Sequence, residues 1–257
     1  MTCSGGTTSV RLSWRAGSPL LKEVLAAVPE RWLVTLSWLA LAAGFAAAAD
    51  ILIDTYLRRY RQQMPIMEAV WPVTALYFGP LASWAYRRFG RPMTRHWLAE
   101  HDRDEPPDKP GWATTAVGVS HCGAGCTLGD ILAEFVIFGL GAAIAGEVVY
   151  AEMVGDYLAA VALGIAFQYF AIAPMRGLSL RKGLREAAKA DVLSLTAFEG
   201  GVFGWMALMA FVLFPAPHRL HPDSPVYWFL MQVGMIIGFG TAWPANVWLI
   251  RRGIKAM

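Results

Sequence analysis

The stretch "YWFLMQVGMIIGFGTAWPANVWLI", residues 227–250, runs for 24 positions without one Asp, Glu, Lys or Arg. A segment of that length and character crosses the hydrocarbon of a bilayer, which takes about 20 apolar residues in helical form. Helix is the form open to it, because lipid offers no water to satisfy an open backbone. The rest of the chain has the same composition. Of its 257 residues, 56% are apolar and 16% charged, where a soluble domain carries about a quarter charged. Mean hydropathy is +0.42. Six spans are expected, over 32–53, 66–86, 127–150, 154–174, 192–214 and 226–250. The fold class is all-α, a polytopic integral membrane protein of six transmembrane helices.

The opening "MTCSGGTTSVRLSWRAGSP" lacks the apolar run of a signal peptide. The "LLKEVLAAV" that follows is expected either as a short helix on the membrane surface or as plain tail. Lys and Arg set the orientation. With both termini cytoplasmic, 18 of them lie inside and 4 outside, which predicts N-in/C-in. Arg58, Arg59 and Arg61 form the one loop that dissents. The net charge of +3 reflects this distribution and points to no nucleic-acid partner.

A shift of 70 residues brings Tyr157, Gly164 and Pro174 onto Tyr227, Gly234 and Pro244, and "LRKGLR" onto "IRRGIK". Pro80 followed by Arg87 and Arg88 resembles a fainter third copy. The chain therefore reads as three helical hairpins, each closing with a Pro-marked helix and a basic exit. The charged, Pro-rich "EHDRDEPPDKPG" divides it into two parts. Residues 1–111 hold the tail, the first hairpin and the linker. Residues 112–257 hold two repeats of about 70 residues each.

Against this apolar background "SHCGAGCTLGDILAE", residues 120–134, is unusual. On a helix Cys122, Cys126, Asp130 and Glu134 recur every fourth residue and share a face, while His121 points about 100° from Cys122. Unwinding at Gly123 and Gly125 would turn the imidazole and both thiols toward one point. His121, Cys122 and Cys126 are thus candidate ligands for Cu(I) or Zn(II) at the cytoplasmic mouth of the third helix. Equally, small residues there would suit a tight contact between helices.

Carboxyl groups inside a span are costly and mark ion paths or buried polar networks. Asp130, Glu134, Asp191 and Glu199, with Gln232, form a candidate polar path, while Glu147 is expected at the outer interface with Glu152 and Asp156. Met206, Met231 and Met235 would add soft thioether donors, although such Met pairs more often serve packing. No phosphate-binding loop, dinucleotide fingerprint, H-E-x-x-H or nucleophile elbow is present.

"HCGAGCTLGD" resembles the H-C-x-x-G-C-x-x-G-[DE] signature of an uncharacterised family of bacterial multi-helix membrane proteins. "DVLSLTAFEGGVFGWMALM" and the closing "YWFLMQVGMIIGFGTAWPANVWLIRRGIKAM" are similar to its last helices and their P-x-N-x-x-L-[IV]-x-x-G-I-K ending. Ala245 departs from the Val common there. The resemblance covers roughly 112 to 257 and implies an architecture in a bacterial inner membrane, with no activity attached. The residues themselves suggest soft-metal binding or transport, with copper as first choice and no catalysis. The rivals are an accessory subunit of a larger membrane complex or of a homo-oligomer, and a thiol redox enzyme.

Overall fold

A computed structural model of the chain describes residues 31–176 and 179–254, with no side-chain account of 171–176 and 190. The expected surface helix before residue 31 lies outside this range. The described residues are helical, in this order: α1 Arg31–Tyr56, α2 Met67–Phe78, α3 Pro80–Ala85, α4 Arg95–Glu100, α5 Gly111–Leu140, α6 Val148–Arg176, α7 Leu180–Leu208 and α8 Pro225–Arg251. Short π and 3-10 turns follow α3, and a π turn extends α7. Among the described residues five helices are long and apolar enough to cross a membrane: α1, α5, α6, α7 and α8.

The exposure pattern is the inverse of a soluble protein. Trp32, Trp38, Leu39, Phe45 and Leu158 are more than half exposed on helix faces, whereas Ser37, Thr127, Asp130, Glu134 and Asn246 are buried. A water-soluble bundle would hide the first set and show the second. Half-exposed Trp84, Trp112 and Trp248 lie near helix ends that also carry Arg87, Arg88 and Arg251, as interfacial anchors do.

The expected second span is absent. Residues 66–86 form two short helices that reverse at Gly79, whose φ is +55°. Going down α2, the Leu76 carbonyl reaches Gly44 of α1; returning along α3, Ser83 bonds the Ala47 carbonyl at 3.4 Å and Arg87 pairs with Asp50 at 2.8 Å. Tyr86 then donates to Asp54 at 3.0 Å. The pair is a re-entrant hairpin whose two feet stand at the same end of the bundle. Apolarity gave 66–86 the look of a span; glycine's freedom at positive φ followed at once by Pro80, a first-turn residue, lets the chain turn back. Buried Asp54 ties the feet together, since Arg58 (3.3 Å) and Arg91 (3.6 Å) also reach it.

Two consequences correct the sequence reading. With 66–86 turning back, the five long helices put residues 31 and 251 at opposite ends of the bundle, where six full-length helices would have them at one. The loop with Arg58, Arg59 and Arg61 joins the basic end, because Arg91 stacks over Tyr60 and Tyr60 donates to Glu100 at 2.7 Å. The third span also starts much earlier than 127. α5 begins at Gly111, its small polar residues satisfied within the helix: Thr115 donates to the Gly111 carbonyl at 3.1 Å and Thr127 to that of Gly123 at 2.7 Å. Gly, Ala, Ser and Thr lower a hydropathy score without forbidding a membrane helix.

Candidate functional site

The H-C-G-A-G-C segment lies mid-helix in an uninterrupted α5, not at its entrance, and its glycines do not unwind it. They permit contact. A Cβ on Gly125 would lie 2.8 Å from the Gly164 backbone of α6, and one on Gly129 would lie 2.6 Å from the Ala160 nitrogen. A Cβ on Gly123 would meet the Phe198 ring at 2.8 Å and the Tyr77 hydroxyl at 3.0 Å. α5 and α6 are therefore pressed backbone to backbone, as small residues four apart allow.

Because the helix is continuous, the three proposed ligands do not converge. His121 faces Phe167 at a ring separation of 6.3 Å and lines a cavity with Trp71 and Gln168. Cys122 and Cys126, both free thiols, point into the core among Tyr77, Leu195 and Phe198. Among the described residues no group of three or more His, Cys, Asp or Glu is arranged to hold a metal. Met206, Met231 and Met235 are buried in the same core cluster as the thiols, and Thr127 contacts the Met235 sulfur at 3.5 Å.

The carboxyl groups do come together. Asp130, Glu134 and Asp156 are 0% exposed, Asp191 and Glu199 1%, and Glu152 8%. Asp156 sits close to Asp130, Glu134 and Glu199, and Glu134 close to Glu152. Cys126 is beside Glu199, and Tyr227 and Asp156 are beside Glu134. No hydrogen bond of ordinary geometry from the described residues reaches the carboxyl oxygens of Asp130, Glu134, Asp156 or Glu199. The line runs from Glu199, mid-way along α7, through Asp130, Asp156, Glu134 and Glu152. Its end meets Arg219, which also pairs with Glu147 and lines a small pocket with Glu152, His221 and Tyr227. Asp191 is packed against Gly164 of α6.

The sequence reading puts Glu152 and Asp156 at the outer interface, just before and just inside the expected start of the fourth span at 154, whereas the structure buries both. Their spacing of four, matching Asp130 and Glu134, was the available signal. Gln232 belongs elsewhere than on the path. Its amide donates at 2.6 Å to the Leu76 carbonyl, which the break at Gly79 leaves without a helical partner. Asn246 donates to the Ser194 hydroxyl at 2.6 Å.

A model of the family described as Domain of unknown function (DUF4396) matches residues 111–255. The chain belongs to that family. No curated protein and no solved structure matches it. The DUF4396 match opens at the first residue of α5, so it takes in the glycine seam and the whole carboxyl line. The re-entrant hairpin precedes the DUF4396 region.

Proposed function

We propose that the protein carries a cation, in the first instance a proton, across a membrane along the buried carboxyl line. One observation carries the reading: five neighbouring acids, Glu199, Asp130, Asp156, Glu134 and Glu152, lie inside membrane helices, with Arg219 at one end as the cation they meet. Each intramembrane acid costs a few kcal/mol. A bundle that served only as packing would be more stable with Leu or Asn in their place. Carboxyl groups in sequence can accept and release a proton in turn, or release it to water in exchange for a metal cation. His121 sits about 15 Å along α5 from its start, on the cavity side, where it would exchange protons with the end opposite Arg219. The reading sets the protein in the bacterial cytoplasmic membrane with the basic end inward, as the positive-inside tendency directs.

The test is flux. Full-length protein in liposomes under a potassium diffusion potential should acidify or alkalinise the lumen, followed with an enclosed pH dye. Asp130→Asn and Glu199→Gln should reduce that rate to the level of empty vesicles. Glu186→Gln, on the surface beside Lys189, should leave it unchanged. Equal rates in all four preparations would remove the reading.

A second reading, soft-metal and first of all Cu(I) transport, is favoured by the clustering of Cys122, Cys126, Met206, Met209, Met231 and Met235 in one buried core. Thiols and thioethers suit Cu(I) and ignore Mg(II) or Ca(II). Bound copper and zinc measured in the purified protein, against a Cys122→Ser/Cys126→Ser variant, decides it; equal metal content in both would discard these ligands.

A further inference from the structure

Beneath the re-entrant hairpin lies a cavity of ≈ 680 Å³, between the hairpin and α5. Its size falls within the range of small-molecule sites, about 300 to 1,000 Å³. Met64, Met67, Trp71, Phe89 and Val117 give it an apolar wall. Methionines make such walls adaptable.

Its polar groups are unbalanced. The Nε2 amide of Gln62, a residue only 9% exposed, and the indole nitrogen of Trp71, 3% exposed, have no hydrogen-bond acceptor among the described residues, and both residues line the cavity. Lys109 lines it as well, half-buried just ahead of α5, where burial pulls its ammonium below the ordinary value. The acid in the lining is Asp108, which is exposed. Buried donors that lack acceptors are costly, and a desolvated ammonium gains from an anion. Neither nitrogen has open surface of its own and the Trp71 indole nitrogen lies against Gly90, so it is the Gln62 amide, once turned toward the cavity, that joins Lys109; an occupant that meets both brings oxygen acceptors and a negative charge.

The position adds the rest. Gln62 follows the end of α1 and Lys109 precedes the start of α5, so both stand at the basic end of the bundle, level with lipid headgroups. The apolar wall extends inward from them as far as His121, about 18 Å along the chain from Lys109 if measured at helical rise. We propose that this cavity binds an anionic amphiphile, its carboxylate or phosphate oxygens held by Lys109 and Gln62 and its acyl chain lying along Trp71, Met67 and Val117. A free medium-chain carboxylate and the head of an anionic phospholipid share this chemistry.

The experiment uses full-length protein in phosphatidylcholine nanodiscs, titrated with dansyl-labelled undecanoate, with empty nanodiscs as background. Saturable binding above background is expected. Lys109→Gln should weaken it about fivefold, the value of one interfacial lysine. Val117→Trp and, separately, Thr114→Trp should fill the cavity and abolish saturation while thermal unfolding stays at the parent value. Glu199→Gln should bind as the parent does, which separates this site from the carboxyl line. Displacement by decanoate alone identifies a free carboxylate; displacement by phosphatidylglycerol identifies a lipid headgroup. A signal no greater than empty nanodiscs, displacement by neither competitor, or full binding by a folded Val117→Trp variant would overturn the proposal.

Discussion

The two halves of α5 differ. From Gly111 to His121 the helix faces a large cavity roofed by the re-entrant hairpin. From Gly123 to Glu134 it is closely packed, with no room for a methyl group at Gly123 against Phe198 and Tyr77 or at Gly125 and Gly129 against the α6 backbone, and here it carries Asp130 and Glu134. The open half faces donors from Gln62 and Trp71 and the lysine just ahead of the helix, Lys109; the closed half holds acids. There is open volume at one end and none between the helices at the other, where the proposed proton path runs. On the two proposals made above, the helix would hold sites of opposite charge preference on one rod, with Cys122 and Cys126 near the division.

Three substitutions press on that contrast. The largest effect should come from Asp54→Ala, which strips Tyr86, Arg58 and Arg91 of their shared partner. Breaking a buried charged contact of this kind costs about 3 kcal/mol. The hairpin feet should loosen, seen as faster protease cutting within 57–66 and faster hydrogen exchange in α2, with exchange in 123–134 unaltered. If the seam loosens equally, the two halves are one unit and the contrast fails.

Gly129→Val attacks the other half. Its Cβ would lie 2.6 Å from backbone on α6, which no rotamer relieves. Overpacking there should cost about 2 kcal/mol, read as a lower unfolding midpoint in detergent. Gly200→Val, with open space around its Cβ, should stay within about 0.5 kcal/mol of the parent. Equal behaviour of the two would mean the helices sit further apart than described.

Gln232→Leu tests the boundary. It leaves the Leu76 carbonyl bare in an apolar setting, at a cost of about 1 kcal/mol. The same unfolding assay should show a small drop, with exchange increased around Gly79 alone.

Much of this was legible. Composition revealed the membrane class, and 192–214 and 226–250 fall on parts of α7 and α8 because those segments are long and apolar. The family was legible in "HCGAGCTLGD" and the closing helices. Interior acids were legible too, since Asp130, Glu134 and Glu199 stand out in any apolar span. What the sequence hid was three-dimensional. A short apolar stretch reads the same whether it crosses or turns back, and the decision rested on Gly79 and on partners distant in sequence, Asp54 and Gln232. The glycines at 123, 125 and 129 read equally as hinges or as contact points. A facing helix that reaches them with its own backbone selects contact, and that helix is not visible from within the motif.

The bond from Gln232 to Leu76 joins residues 156 positions apart. A ribosome adding about 5 to 20 residues per second makes the carbonyl roughly 8 to 30 seconds before the amide that will satisfy it. A bare carbonyl over that interval favours a shallow or shielded position for the bent segment, and biogenesis is expected to end with the hairpin settling onto the last helix.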